Sequence, residues 1–294
     1  MFVQLIKNNH IFTLYNLNQE FILLVNTLTY KKSNINYYRF GRGKSLTICL
    51  HGYGETGNNF AFLKEYLSKE RSFIAIDLPF HGLTNWQEGL NMDSADLMRI
   101  VKAILQAQHI PDTQKLTLLG FSLGGRIACC LYQLMPERIE KIILLAPDGL
   151  KVNGWYWLST QTRLGNQLFR FTMKRPGLFL GLLKILNRLG LINASIYKFV
   201  IHYIKNKQVR EDLYHRWTGF RNIKPDIPAI RRLIQEFDTD ISLVYGQFDR
   251  IILPDRGVAF QKGIEDRCSL LVIPSGHQVL HERNMAALRP VLMP

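Results

Sequence analysis

The chain is short of the residues that would place it among stapled, metal-bound or membrane-spanning proteins. It has four cysteines in 294 residues. Cys129 and Cys130 are adjacent, Cys49 and Cys268 stand alone, and all four lie in apolar segments. That spacing gives neither a disulfide framework nor a metal-ligand pattern. The thiols are expected to be small buried hydrophobes of a reducing compartment, and no metal is expected. Long hydrophobic runs are missing too. The longest apolar region, Gly177–Ile192, is broken by Lys184 and Arg188 and reads as an amphipathic helix rather than a span. Phe21–Val25 is too short for a signal-peptide core, and no small-residue cleavage site follows it. The expectation is a protein that is not transmembrane and is cytoplasmic. No repeat, low-complexity tract or linker composition appears, so one large domain or two are expected. The first ~20 residues are the least readable part, an edge strand or disorder.

Acidic residues are scarce in one place. Asp and Glu number 23 against 37 Lys and Arg, a net charge of +14. Between Lys151 and Gln235 sixteen Lys and Arg face only Glu211, Asp212 and Asp226, so nearly all the excess, +13, sits in this segment. Such asymmetry bears on partners rather than on fold. It reads either as a solvated helical surface or as one that attracts an acidic substrate, carrier or lipid headgroup. The segment also holds Trp155, Trp157 and Trp217 with Tyr156, Phe169, Phe171, Phe179, Tyr197, Phe199, Tyr203 and Tyr214. These aromatics serve either the segment's own core or an apolar substrate wall. Nucleic acid is not an expected partner.

Elsewhere short apolar runs alternate with helical patterns. Strands are expected at Thr47–Leu50, Phe73–Asp77, Leu116–Phe121, Lys141–Leu145, Ile241–Gly246 and Ser269–Ile273. Helices are expected at Phe60–Lys69, Ser94–Gln106, Gly124–Leu134 and Arg256–Lys262, with one more after His277. Asp93 or Ser94 suits the N-cap of the second. Continuous apolar strands between helices argue for an α/β fold, a mostly parallel sheet with helices on both faces. Glu20–Thr29 and Ile35–Phe40 read as antiparallel edge strands. The alternation stops after Asp148 and resumes at Ile241. An insertion there lies above the carboxyl ends of the strands, as a lid would. The expected domains are therefore 1–148 with 241–294 as the core and 149–240 as a helical cap.

Gly120-Phe121-Ser122-Leu123-Gly124 falls where an apolar strand meets an apolar helix. A G-x-S-x-G in that setting is a nucleophile elbow, with glycines flanking a serine held in a strained turn at a helix N-terminus. A serine hydroxyl needs a base, and the base needs an orienting acid. His277, in Pro274-Ser275-Gly276-His277 after the last strand, is the expected base, with His281 as its competitor inside the next helix. Asp249, in Gln247-Phe248-Asp249 after the preceding strand, is the expected acid, with Asp148 as the alternative. Oxyanion donors are expected from the backbone N–H of Leu123 and from that of Tyr53 in His51-Gly52-Tyr53-Gly54. His51 reads as a brace for that loop.

These residues resemble the motifs of the α/β-hydrolase superfamily, from about Ile35 to the C-terminus. His51-Gly52-Tyr53-Gly54 is similar to its H-G-x-G loop, and Asp77-Leu78-Pro79-Phe80-His81-Gly82-Leu83-Thr84 to its D-x-P-G-x-G-x-S segment. Gly246-Gln247-Phe248-Asp249 resembles its acid motif. Gly276-His277 with Glu282 resembles its final G-H-x-x-x-x-E. Phe80 replaces the usual glycine, and Pro254 follows Asp249 by five residues rather than four. Ser122 at the nucleophile position sets aside the aspartate-nucleophile dehalogenases and epoxide hydrolases. The resemblance implies an α/β-hydrolase fold with an inserted helical cap and a Ser122–His277–Asp249 triad. It further implies a carboxylic ester or thioester substrate cleaved through an acyl-enzyme with no cofactor. A carbon–carbon bond hydrolase and a non-catalytic ligand-binding member remain as alternatives, because fold does not choose among them. Resembling enzymes include esterases that take their acyl group from an acidic carrier protein or coenzyme A. Lys174, Arg175, Lys205, Lys207, Arg210, Arg231 and Arg232 are the cations that such a partner would meet.

Overall fold

The computed structural model describes residues 12–14, 23–151, 154–191, 197, 200–201 and 204–293. Most of the unread N-terminus, Glu20–Ile22, Phe199 and Tyr203 lie outside these described residues. The strands are β1 (Phe12–Leu14), β2 (Leu23–Tyr30), β3 (Ser33–Gly41), β4 (Ser45–Leu50), β5 (Arg71–Ile76), β6 (Leu116–Phe121), β7 (Ile139–Leu145), β8 (Asp240–Gly246) and β9 (Cys268–Ile273). The helices are α1 (Leu63–Leu67), α2 (Ser94–Ala107), α3 (Leu123–Leu134), α4 (Gly154–Gln161), α5 (Arg163–Lys174), α6 (Gly177–Arg188), α7 (Lys207–Gly219), α8 (Ile227–Glu236), α9 (Asp255–Gln261) and α10 (Met285–Leu292).

Two compact units emerge. One takes the residues up to Glu88, Asp93–Lys151 and Ile223 onward; the other takes Gly89–Met92 and Val152–Asn222. Helix α8 thus belongs with the first unit. All nine strands pair in one sheet there, in the order β1-β2-β3-β5-β4-β6-β7-β8-β9. The first three pairings are antiparallel and the remaining five parallel. The mostly parallel α/β sheet expected from the apolar runs is the sheet found.

The core strands are apolar on both sides because both sides are covered. Cys49, Phe73, Leu119, Ile143 and Val244 join Leu63, Leu67, Leu288 and Leu292 of α1 and α10 in one buried cluster. The alternate residues Ile48, Leu118, Ile142 and Leu243 are equally buried. Helix α3 packs on β4, β6 and β7 and against α2. Asp93 caps α2 by accepting from the Asp96 N–H, and the Asp96 carboxylate bonds back to the cap, which fixes the start of that helix. The four thiols are all free and buried, and burial pushes Cys130 up to about 11. They pack as apolar side chains rather than as reactive thiolates.

Arg71, the first residue of β5, is 1% exposed. It donates to the carbonyls of Leu292 (2.5 Å) and Met293 (2.9 Å) and to the hydroxyls of Thr47 (3.1 Å) and Thr117 (2.9 Å). One guanidinium thereby ties the end of α10 to the amino ends of β4 and β6. Burial lowers its pKa.

The second unit is helical. Thr162 and Asn206 cap α5 and α7. Tyr156, Phe169, Tyr214 and Trp217 form a ring cluster with centroids 5.4–5.7 Å apart, so these aromatics serve the unit's own core. Among the described residues no helix is long and apolar enough to cross a membrane.

Candidate active site

The crossing of the chain from β5 back past β4 to β6 creates a switch point, and loops at the carboxyl ends of β4 and β6 become neighbours. Leu50 pairs in register with Gly120. Beyond Phe121 the chain turns at Ser122, whose backbone is at φ +50° and ψ −112°. For a residue other than glycine this is a strained conformation, of the kind that functional turns hold. The surroundings enforce it: the Ser122 N–H bonds the Leu145 carbonyl (2.9 Å), and the Ser122 carbonyl accepts from Gly125 (2.9 Å) and Asp148 (2.9 Å). A Cβ on Gly124 would fall 1.8 Å from the Leu50 carbonyl oxygen, and one on Gly120 2.5 Å from that of Gly124. No larger residue fits at either position without moving backbone, which explains both glycines of the G-x-S-x-G.

The three residues expected to act together lie in one hydrogen-bonded line. His277 Nε2 is 3.1 Å from Ser122 Oγ, and Nδ1 is 2.7 Å from Asp249 Oδ2. The Asp249 side chain is fully buried, and its other oxygen accepts from the Ile251 (2.7 Å) and Ile252 (3.0 Å) N–H groups. Those two bonds stabilise a buried carboxylate and aim its free oxygen at the imidazole. The Phe121 ring lies 5.4 Å from the imidazole and walls one side of it.

The two competing residues are engaged elsewhere. Asp148 pairs with Arg126 and accepts from the Gly149 N–H. His281 lies ahead of the C-terminal helix rather than inside it, and its ring accepts from the Arg283 N–H. The helix expected directly after His277 starts only at Met285, preceded by a short 3-10 turn at Glu282–Asn284.

Leu123 opens α3 immediately after Ser122, and the loop of Tyr53 leaves β4 against Gly124. His51 holds that loop. Its Nε2 accepts from the Leu78 N–H (3.0 Å), so Nδ1 carries the proton and donates to the Gly52 carbonyl (2.8 Å). Asp77 anchors the next loop by accepting from Gly57 (2.7 Å) and Leu83 (2.8 Å). Phe80, at the position where the resembling motif has glycine, takes φ +64°. The turn is kept at a cost of about 1–2 kcal/mol, the penalty of the left-handed region. Its ring packs edge-on to Trp86, 6.4 Å away.

Sequence reasoning did not find Glu55. Its carboxylate accepts from the Gly52 N–H (3.1 Å) and from the Gln278 amide (2.8 Å), so it clamps the loop of Tyr53 to the loop of His277. Burial raises its pKa, against the opposing pull of Gln278, Gly52 and His277. A carboxyl raised in the fold contributes stability that is complete below its ordinary value of 4.5 and is lost as pH climbs through the folded value. The thermal midpoint of Glu55→Gln, relative to wild type, is therefore expected to rise from about pH 4 to pH 7. Parallel midpoint curves would show that Glu55 titrates as it does in the unfolded chain.

A cavity of about 320 Å³ in the first unit, lined by Arg231, Arg256 and Phe260 among others, contains none of these residues. Arg231 donates there to the carbonyls of Phe260 (3.0 Å) and Ala259 (2.5 Å) near the end of α9. Arg210 likewise donates to the carbonyl of Met173 (2.7 Å). Both cations are thus structural bonds, and reversing their charge would perturb packing as well as docking.

A family model described as alpha/beta hydrolase fold matches residues 47–283. A dihydrolipoyllysine-residue acetyltransferase component of the acetoin cleaving system from Pseudomonas putida is 32% identical over 118 residues, 40% of this chain and 31% of that protein. A pimeloyl-[acyl-carrier protein] methyl ester esterase from Aeromonas salmonicida is 30% identical over 149 residues, 48% of this chain and 56% of that one. The matched stretches thus span about a third to just over half of these curated relatives. A solved thermophilic esterase from Thermogutta terrifontis superposes with a TM-score of 0.64 at 19% identity, covering 92% of this chain and 97% of that one.

Proposed function

The chain belongs to the α/β-hydrolase fold family, and from that premise we propose that it is a hydrolase that cleaves a carboxylic ester or thioester through Ser122, His277 and Asp249. The reading is carried by one observation, the imidazole set 3.1 Å from the Ser122 hydroxyl and 2.7 Å from a buried carboxylate. Ser122 Oγ attacks the acyl carbon as His277 Nε2 takes its proton. The oxyanion formed is held by the N–H groups of Leu123 and Tyr53. His277 passes the proton to the leaving alcohol or thiol, which departs and leaves an acyl-serine. A water, deprotonated by His277, attacks that ester, and collapse returns the proton to Ser122 and frees the acid. Asp249 holds the imidazole in the acting tautomer and stabilises its cation.

The acyl donor is either a small free ester or an acyl group on an acidic carrier or coenzyme A. The relative that acts on a carrier-linked methyl ester supports the second, as do the exposed cations Lys174, Arg175, Lys205 and Lys207.

A fluorophosphonate probe tests the reading. Wild type is expected to be labelled on the peptide that contains Ser122, and to hydrolyse p-nitrophenyl esters with a preferred chain length. No labelling and no turnover would return the protein to a binding role. Labelling without ester turnover would shift the substrate to a carrier-bound acyl group or a carbon–carbon bond.

A further inference from the structure

We propose that the second unit docks on an anionic lipid surface through the outward faces of α5 and α6. Helix α5 is apolar outside as well as inside: Phe169 and Met173 face the unit's core, yet leucines and a phenylalanine also stand outward. Its polar Asn166 points inward, where the amide donates to the Ser159 carbonyl and the Thr218 hydroxyl (both 3.1 Å) and accepts from the Tyr214 hydroxyl (3.4 Å). Leu164, Leu168 and Phe171 of the same helix are 77%, 62% and 44% exposed. On α6 only Leu183 is buried, while Leu178, Leu182 and Ile185 stand out at spacings of one turn. Trp155, at the start of α4, is 79% exposed. A helix bathed by water is expected to carry polar residues on that outer side.

Charge identifies the occupant. From Arg163 to Leu189 the cations are Arg163, Arg170, Lys174, Arg175, Lys184 and Arg188, all of them exposed, and no Asp or Glu occurs in that stretch. An exposed leucine stripe rimmed by cations, with a tryptophan beside it, matches a helix lying in the plane of a membrane surface. A second copy of the chain would bring like charge against like charge on this face. An acidic carrier would use the cations but leave the leucines in water. Each helix is 12 residues long, enough to lie on a bilayer and too short to cross it.

The test uses the full chain with vesicles of phosphatidylcholine alone or mixed with phosphatidylglycerol. Co-sedimentation is expected to be at least about tenfold stronger on the anionic vesicles and to weaken at high salt, with a blue shift of tryptophan emission. The double variant Leu164→Asn with Leu168→Asn is expected to lose about tenfold in vesicle binding and to keep its turnover of a soluble ester and its circular dichroism. Binding that is absent, or unchanged in that variant, overturns the proposal. A dimer that the variant dissolves, with no vesicle binding, assigns the face to a second copy instead. Loss of carrier-linked turnover alone, with no vesicle binding, assigns it to a carrier.

Discussion

His277→Ala is expected to lower kcat on a soluble p-nitrophenyl ester by roughly 10⁴- to 10⁶-fold, with KM little changed. The ring touches both of the groups with which it would exchange a proton or share charge, and no other imidazole is bonded to Ser122 Oγ among the described residues. Asp249→Asn is expected to cost about 10⁴-fold by a different route. Its amide would present a donor to His277 Nδ1, so the proton moves to Nε2, and that nitrogen then faces Ser122 with a hydrogen rather than a lone pair. The double variant is expected to be little worse than His277→Ala alone, because the residues act as one unit. Initial rates under substrate saturation decide the matter. A loss of tenfold or less for His277→Ala would remove this ring from the role of base.

Arg71→Met is expected to destabilise the fold by about 2–4 kcal/mol, which in a chain of this size lowers the thermal midpoint by several degrees. Methionine fills much of the space but donates nothing. The Leu292 and Met293 carbonyls and the two threonine hydroxyls would each lose a donor in a buried setting. Lys141, which also donates to the Met293 carbonyl (2.8 Å), retains part of the anchorage and sets the lower bound. Arg71→Lys is expected to recover only part of the loss, since one ammonium cannot reach four acceptors spread around a planar group. Midpoints from thermal denaturation measure all three. An unchanged midpoint for Arg71→Met would mean that the end of α10 holds without this bond.

The contrast between β6 and Arg71 shows what local sequence carries. Leu116–Phe121 was legible to the residue, because a strand covered on both faces must be apolar throughout. Ser122, Asp249 and His277 were legible because each follows the carboxyl end of a parallel strand, where this kind of sheet gathers its loops. Arg71 falls outside the strand expected at Phe73–Asp77, and its bonding partner lies 221 residues away at Leu292. Glu55 is hidden in the same way, bonded to Gln278 at a separation of 223. Phe60–Lys69 reads as one helix, yet it forms a 3-10 turn at Gly57–Phe60 and a five-residue α1. There the Gly57 N–H is held by the distant Asp77 rather than by its own helix. The delay of α10 to Met285 has a similar origin. The Asn284 amide holds the carbonyls of Gln278 (3.3 Å) and Val279 (2.9 Å) in a tight non-helical turn, a pattern that apolar periodicity does not report.

The separation of Ser122 from His277 by 155 residues has a meaning in time. At roughly 5–20 residues per second a ribosome takes about 8–30 seconds to travel from one to the other. Throughout that interval the nascent polypeptide carries a serine with the reactivity of an ordinary alcohol. Under the proposed function, ester cleavage would begin only after β8 and β9 have been made and have joined the sheet, so a chain abandoned midway by translation would be inert toward the esters around it.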